Sequence, residues 1–181
     1  MTLPNWITLS RLLGLPFILV LLDSPTSRER WIGLGIFLAA ASTDWVDGYL
    51  ARQLNQVTEL GKFLDPLVDK LLVLAPLLSL IQLGEVPAWG VFPILGRELA
   101  IAGWRVNPKL AGNTGIRGAN IWGKIKTATQ IAAIAFLIAP LPPAWHPFSL
   151  TLFWISVALT LISGAIYLLP QGGEPMAGEA N

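Results

Sequence analysis

Long apolar runs, separated by short polar or proline-rich breaks, dominate the sequence and predict six helices. The first run ends at Leu22, and the others cover about 31–52, 62–83, 89–106, 121–139 and 148–169. Most of them are close to the ~20 residues that a helix needs to cross a bilayer. The pattern therefore predicts an all-α integral membrane protein with six transmembrane helices and a short N-terminal interfacial segment around Trp6 and Arg11.

Composition supports a membrane location and limits the possible chemistry. The chain has 181 residues, of which 54% are hydrophobic and 13% charged, with a mean hydropathy of +0.61, which is too apolar for an ordinary soluble domain. The absence of cysteine excludes disulfides, thiolate metal sites and thiol catalysis. We expect one membrane domain over residues 1–170, with an uncleaved first helix, and a disordered polar tail over 171–181.

Basic residues are distributed unequally between the two sides of the six predicted helices. Arg28 and Arg30 fall on one side, and the other ten of the twelve Lys and Arg residues fall on the side that holds both termini. Positive charge accumulates in cytoplasmic segments. We therefore expect a multi-pass protein of the inner (plasma) membrane, with both termini and the polar stretch 44–69 facing the cytoplasm.

Four aspartates lie at the cytoplasmic ends of the second and third predicted helices. Asp44 and Asp47 are three residues apart and Asp65 and Asp69 four apart, so each pair is expected on one face of its helix. An aspartate near the centre of a membrane helix costs ~2.5–3.5 kcal/mol, and intramembrane ionisable groups usually mark a functional site. The alternative is a structural network in which nearby lysines and arginines neutralise the carboxylates.

The residue types in this stretch favour a hard divalent cation. Carboxylate oxygens without histidine or cysteine suit Mg²⁺ or Mn²⁺ better than zinc, and two such ions close together assist displacement at phosphorus. Gly48 leaves room for a ligand beside the backbone, and Arg52 carries a planar guanidinium that fits phosphate. The residues thus predict a site for two Mg²⁺ or Mn²⁺ ions and a phosphorylated ligand.

The spacing of these residues resembles a known family signature. The pattern Asp44-x2-Asp47-Gly48-x2-Ala51-Arg52-x8-Gly61-x3-Asp65-x3-Asp69 is similar, position for position, to that of the CDP-alcohol phosphatidyltransferases. The resemblance implies a six-helix, homodimeric membrane enzyme whose metal ligands and CDP-diacylglycerol contacts come from this stretch. The implied metal ligands are Asp44, Asp47, Asp65 and Asp69, with Asp69 as the general base. The implied donor-binding residues are Asp44, Asp47, Gly48, Arg52, Thr58 and Gly61.

Further segments resemble one branch of the family, the phosphatidylglycerophosphate synthases, whose acceptor is glycerol 3-phosphate. These segments are LPNWITLSR, VTELGKFLDPLVDK, GRELAIAGWR and GKIKTATQ, and the main departure is Val68, where a small residue is expected. A dianionic acceptor needs cations near the metals, and the fourth and fifth helices supply candidates for its phosphate. These candidates are Arg97, Arg105, Lys124 and Lys126.

Other interpretations remain open at the sequence level. The basic residues could anchor the protein to anionic lipid headgroups, and Glu98 could simply neutralise an arginine. The acceptor could instead be inositol phosphate or phosphatidylglycerol. From another class, the chain could be a divalent-cation transporter, although no internal repeat is visible. We expect membrane lipids as partners and no nucleic acid, and we expect His146 to be interfacial and not catalytic.

Overall fold

The computed structural model describes residues 3–53, 59–106 and 121–168, and within these ranges it contains helices and no strand. Side chains are described throughout them except at 3–5, 7, 44–53, 59–63, 65, 104–106, 121, 122, 167 and 168. The helices are α1 (Leu3–Leu21), α2 (Ser27–Gln53), α3 (Glu59–Gln82), α4 (Ala88–Val106), α5 (Ile121–Ile138) and α6 (His146–Leu168), with a 3-10 turn at Pro143–Trp145. The six predicted helices are confirmed. The predicted loop 107–120 and the tail 171–181 lie outside the described residues.

The helices form a bundle in which α1 packs on α2 and α3, α5 packs on α2, α3 and α6, and α4 packs on α3 and α6. Contacts between side chains fix the helix directions. Gln82, at the end of α3, donates to Asp23 after α1 (2.8 Å), while Arg11, in the first half of α1, contacts Asp69 of α3. Helices α1 and α3 therefore run parallel. We call one end of the bundle the Asp69 end and the opposite end, which holds Asp23, Arg30 and Glu85, the Glu85 end.

One face of α1 is buried against its neighbours along its whole length. The buried positions recur every three or four residues, as expected for one side of a helix; they are Thr8, Arg11, Leu15, Ile18 and, just beyond the helix, Leu22. The predicted interfacial segment is the beginning of this continuous helix. Trp6 is exposed, as an interfacial residue would be, but Arg11 is 3% exposed and faces the bundle. Arg11 contacts the carboxylate of Asp69 there, and the interfacial position of this segment stays a prediction.

Helix α2 begins at a capping box. The hydroxyl and the backbone N–H of Thr26 donate to Glu29 (2.6 and 2.7 Å), and the N–H of Glu29 donates back to the hydroxyl of Thr26 (3.3 Å). These bonds satisfy donors that a helix start otherwise leaves open. The helix consequently begins at Ser27, four residues before the apolar run that predicts it.

Small residues let α4 and α6 approach closely. A Cβ atom added to Gly90 would lie 3.0 Å from ring atoms of Phe153 and Trp154, so only glycine fits there without movement of the rings. The packed face of α6 also carries four buried hydroxyl residues, Ser149, Ser156, Thr160 and Ser163. Small and weakly polar residues are common where membrane helices pack, because they allow close contact and satisfy their hydroxyls on the backbone.

Charged and polar side chains from α2, from the turn after α3 and from the start of α6 meet at the Glu85 end. After α3, Gly84 adopts a φ of +73°, as a tight turn after a helix often requires. Glu85 then accepts from Arg30 of α2 (2.8 Å) and lies 3.3 Å from the Nε2 of His146. These three side chains line a cavity of about 490 Å³. His146 is thus at the opposite end from Asp69, as expected for a residue outside the active site.

Among the described residues, one helical region, Pro143–Ile166, is long and apolar enough to span a membrane, and Thr8–Leu21 is a shorter apolar helix. Six helices are present, but six transmembrane spans stay a prediction. Charged side chains and internal prolines (Pro66 and Pro76 in α3, Pro93 in α4) distinguish the other helices from a purely apolar span.

Candidate active site

The four aspartates of the signature belong to two helices that touch. Asp44 and Asp47 lie in α2, Asp65 and Asp69 lie in α3, and the two helices pack on each other. Arg52 and Gly48 are also in α2 and Gly61 is in α3, whereas Thr58 lies outside the described residues. Among the four aspartates, Asp69 is the one whose side chain is described. The shared metal site of all four therefore stays a prediction.

Asp69 lies between a buried cation and an accessible space. Its Oδ1 is 3.2 Å from Nη1 of Arg11, across the packed α1 and α3 helices. The side chain of Arg11 is 2% exposed, while that of Asp69 is 46% exposed. Asp69 is thus held from the interior of the bundle and remains reachable from outside. A general base needs both a fixed orientation and access to its substrate.

A second charged cluster, formed by Arg97, Glu98 and Lys126, joins α4 to α5 at the same end of the bundle. Oε1 of Glu98 accepts from Nη1 of Arg97 (3.0 Å) and from Nζ of Lys126. All three side chains are largely buried, with exposures of 14%, 16% and 6%. Among the described side chains, two cations share this one carboxylate, and the formal charges of the three groups add up to about +1. Such a group can receive an anion more readily than a balanced ion pair.

Helices α4 and α5 are joined at this cluster by side chains and not by close packing of their backbones. Within the described residues, α4 and α5 do not approach closely along their backbones, and the contact between Glu98 and Lys126 bridges them. Helix α3, which carries Asp69, packs on α5, which carries Lys126. The cluster and the candidate base are therefore in neighbouring parts of the Asp69 end.

Helix α6 contributes to the cluster through a residue that sequence reasoning missed. Nη2 of Arg97 donates to the hydroxyl of Ser163 (2.8 Å), which is 4% exposed. The adjacent Gly164 makes room for the arginine, because a Cβ atom there would lie 3.1 Å from its Cγ. The last fifty residues carry no recognisable motif. The only available signal was a small hydroxyl residue followed by glycine on an apolar helix.

The predicted acceptor residues do not all come together. Arg97 and Lys126 share Glu98, but the side chain of Lys124 is exposed and has no contact with Glu98 among the described interactions. Arg105 lies in α4, and its side chain is outside those described. Glu98 does more than neutralise one arginine, since it also holds the lysine of the next helix. Val68, the departure from the family pattern, is fully buried and therefore affects packing.

The ligand set of the signature suits a divalent cation, although no group of three His, Asp or Glu side chains lies together among those that the structure describes. The side chains of Asp44, Asp47 and Asp65 are outside those described. The available observations fit a hard ion: all candidate donors are carboxylate oxygens, their helices are in contact, and Asp69 is accessible.

Comparison with known proteins agrees with the signature. A family model for CDP-alcohol phosphatidyltransferase matches residues 1–162. A protein of Bacillus subtilis named CDP-diacylglycerol–glycerol-3-phosphate 3-phosphatidyltransferase is 42% identical over 91% of this chain and 92% of its own. A protein of Pseudomonas fluorescens with the same name is 37% identical over 93% of this chain and 85% of its own. A protein of Arabidopsis thaliana that carries this name with the number 2 is 35% identical over 92% of this chain and 78% of its own. This chain therefore belongs to the CDP-alcohol phosphatidyltransferase family, whose members are membrane-associated enzymes.

Proposed function

We propose that the protein transfers the phosphatidyl group of CDP-diacylglycerol to glycerol 3-phosphate, giving phosphatidylglycerol phosphate and CMP. The observation that carries the choice of acceptor is the buried cluster of Arg97, Glu98 and Lys126, in which two cations contact one described carboxylate at the same end of the bundle as Asp69. A phosphorylated alcohol can bind such a cluster with its phosphate and direct its hydroxyl elsewhere. The names of the similar proteins support the same donor and acceptor.

The donor is proposed to bind along α2 and the start of α3. Arg52 would hold the diphosphate, and Gly48 and Gly61 would let the nucleotide approach the two helices closely. Asp44, Asp47, Asp65 and Asp69 would hold two Mg²⁺ or Mn²⁺ ions. When bound, these ions neutralise negative charge that develops on the diphosphate during transfer.

Asp69 is proposed as the general base. Its accessible carboxylate takes the proton of the primary hydroxyl of glycerol 3-phosphate, and the hydroxyl oxygen attacks the phosphorus that bears diacylglycerol. A new P–O bond forms to the acceptor as the P–O bond to CMP breaks. Arg97 and Lys126 hold the acceptor phosphate during this step, with Glu98 fixing the positions of both cations.

The location and assembly are part of the proposal. The bias of basic residues toward one side supports an active site at the cytoplasmic face of the inner membrane, and the family resemblance supports a homodimer. Membership of an enzyme family argues against the alternative of a divalent-cation transporter.

The test is CMP release by the purified protein from CDP-diacylglycerol, with glycerol 3-phosphate, inositol phosphate and phosphatidylglycerol as separate acceptors. We expect release with glycerol 3-phosphate and its loss when EDTA removes the metal. Asp69→Asn should lower kcat by about 10²–10⁴-fold, the usual contribution of a general base, while binding of CDP-diacylglycerol persists. Faster release with another acceptor would refute the assignment, and a normal kcat for Asp69→Asn would remove Asp69 from the role of base.

A further inference from the structure

Arg11 is a charged residue in the middle of an apolar packing face. Its neighbours on that face of α1, Leu15 and Ile18, are 4% and 0% exposed, and Arg11 itself is 3% exposed. Burial of a guanidinium is unfavourable unless it is paired, and an arginine cannot lose its charge under ordinary conditions. An arginine in this position therefore needs a specific partner, and ionisable groups in membrane helices usually serve a function.

The partner of Arg11 is the proposed base, and the two side chains differ greatly in exposure. Nη1 of Arg11 lies 3.2 Å from Oδ1 of Asp69, with exposures of 2% for the arginine and 46% for the aspartate. Packing on α2 and α3 holds α1 in place, and burial of the Arg11 side chain restricts the movement of its guanidinium.

A fixed donor can set the orientation of a short carboxylate. The terminal torsion of aspartate is broad and has no sharp rotamer preference, so the groups that contact Asp69 set its orientation, and Arg11 is one of them. In many enzymes a third group orients the base that activates a nucleophile. Arg11 is placed to do this because it engages Asp69 from the interior, opposite to the side from which a substrate could approach.

We propose that Arg11 is a positioning residue that fixes the carboxylate of Asp69 from the buried side, so that its accessible side addresses the acceptor hydroxyl. The inference rests on the proposed function, since it assigns Arg11 to the reaction through Asp69. It makes α1, which carries no residue of the family signature, a necessary part of the active site.

The competing interpretation is an ion pair that only joins α1 to α3, and the molecule contains a natural comparison. At the Glu85 end, Arg30 and Glu85 form an ion pair between α2 and the α3–α4 turn at 2.8 Å, with exposures of 20% and 21%. Its partners are equally buried and are far along the bundle from Asp69. Arg30→Met is therefore a matched control for loss of an arginine that has a structural role.

The experiment compares Arg11→Met, Arg11→Lys and Arg30→Met in steady-state kinetics, thermal unfolding and binding of CDP-diacylglycerol. Methionine fills the buried position without a charge, and Asp69 is 46% exposed and can be hydrated, so Arg11→Met should fold. We expect its kcat to fall about 10- to 100-fold, as for other groups that orient catalytic ligands, with a smaller change in both KM values and unchanged donor binding. Arg11→Lys, which keeps the charge but has a shorter reach, should have an intermediate kcat.

Arg30→Met should lower the melting temperature and leave kcat unchanged. A normal kcat in Arg11→Met, or a loss of kcat no greater than that of an equally destabilised Arg30→Met, would overturn the inference. If Arg11→Met does not fold, the test uses Arg11→Lys. A wild-type kcat in Arg11→Lys, with normal stability and an unchanged KM, would contradict a requirement for the guanidinium. Failure of the proposed function is separate: it would appear as no CMP release by the wild type or as a normal kcat in Asp69→Asn.

Discussion

Lys124 and Lys126 differ by two positions in sequence but have opposite environments. Lys126 is 5% exposed and donates to Glu98, whereas Lys124 is exposed. If the cluster binds the acceptor phosphate, Lys126→Gln should raise the KM for glycerol 3-phosphate by about tenfold or more, since a charged hydrogen bond contributes ~1.5–3 kcal/mol. Kinetics at varied glycerol 3-phosphate concentration measure this effect.

Lys124→Gln is the matched control and should change the same KM far less, because a solvated surface charge contributes little. Equal effects of the two substitutions would contradict the assignment of the acceptor phosphate to the buried cluster. An increased KM for CDP-diacylglycerol alone in Lys126→Gln would place this lysine in the donor site instead.

Contacts between side chains of different helices could not be predicted from this sequence, although some of the residues that make them could. The aspartates and Arg97 and Lys126 were identifiable because membrane helices seldom carry charge without a reason. Their partners were not, because Arg11 and Asp69 are 58 residues apart and Arg97 and Ser163 are 66 residues apart. Spacing along a helix relates residues three or four apart, and it contains no information about which faces of different helices meet.

At the scale of elements, the start of α2 allows a prediction about stability. Thr26→Ala removes the side-chain half of the capping box and should lower the free energy of unfolding by about 0.5–2 kcal/mol at neutral pH. Thermal unfolding in detergent measures the change, and Ser27→Ala, at the neighbouring exposed position, is the control. Equal melting temperatures for Thr26→Ala and the wild type would show that the box does not stabilise the helix.

The same cap should depend on pH. Hydrogen bonds from the hydroxyl and then the backbone N–H of Thr26 hold the pKa of Glu29 below its usual value. A carboxyl whose pKa is lowered by folding stabilises the protein above its unfolded pKa, and this contribution is lost as the pH falls through the folded pKa. The stability difference between the wild type and Glu29→Gln should therefore be largest near neutral pH and shrink in acid. A constant difference would contradict this linkage.

Helix ends were less predictable than helix number. The apolar runs gave six helices, all of which are present, because each run is long and bounded by polar or proline-rich residues. The prediction placed the start of the second helix at Trp31, whereas α2 begins at Ser27, because capping lets polar residues form the first turn. Similarly, Pro147 lies in the first turn of α6, where proline is tolerated because its missing N–H has no helical partner.

At the scale of the whole molecule, the two ends of the bundle should lie on opposite sides of the membrane. The chain has no cysteine, so single-cysteine variants can report the side of each position without background. Ser24→Cys, at the exposed Glu85 end, should react with an impermeant maleimide on intact cells or spheroplasts. Lys124→Cys, at the exposed Asp69 end, should react only after the membrane is permeabilised.

Labelling of Lys124→Cys in intact cells would invert the orientation, and labelling of both variants would show that the bundle does not separate two compartments as proposed. The labelling result does not depend on catalysis, so variants with reduced activity remain informative as long as they reach the membrane.

The contact between Arg97 and Ser163 joins the cluster of Arg97, Glu98 and Lys126 to the end of α6, beyond the residues that the family model matches. Substitutions near Ser163 and Gly164 could alter the grip on a phosphate without changing any residue by which the family is detected. If the cluster binds the acceptor phosphate as proposed, the preference for one alcohol over another depends in part on this final helix, and the signature aspartates alone do not determine the acceptor.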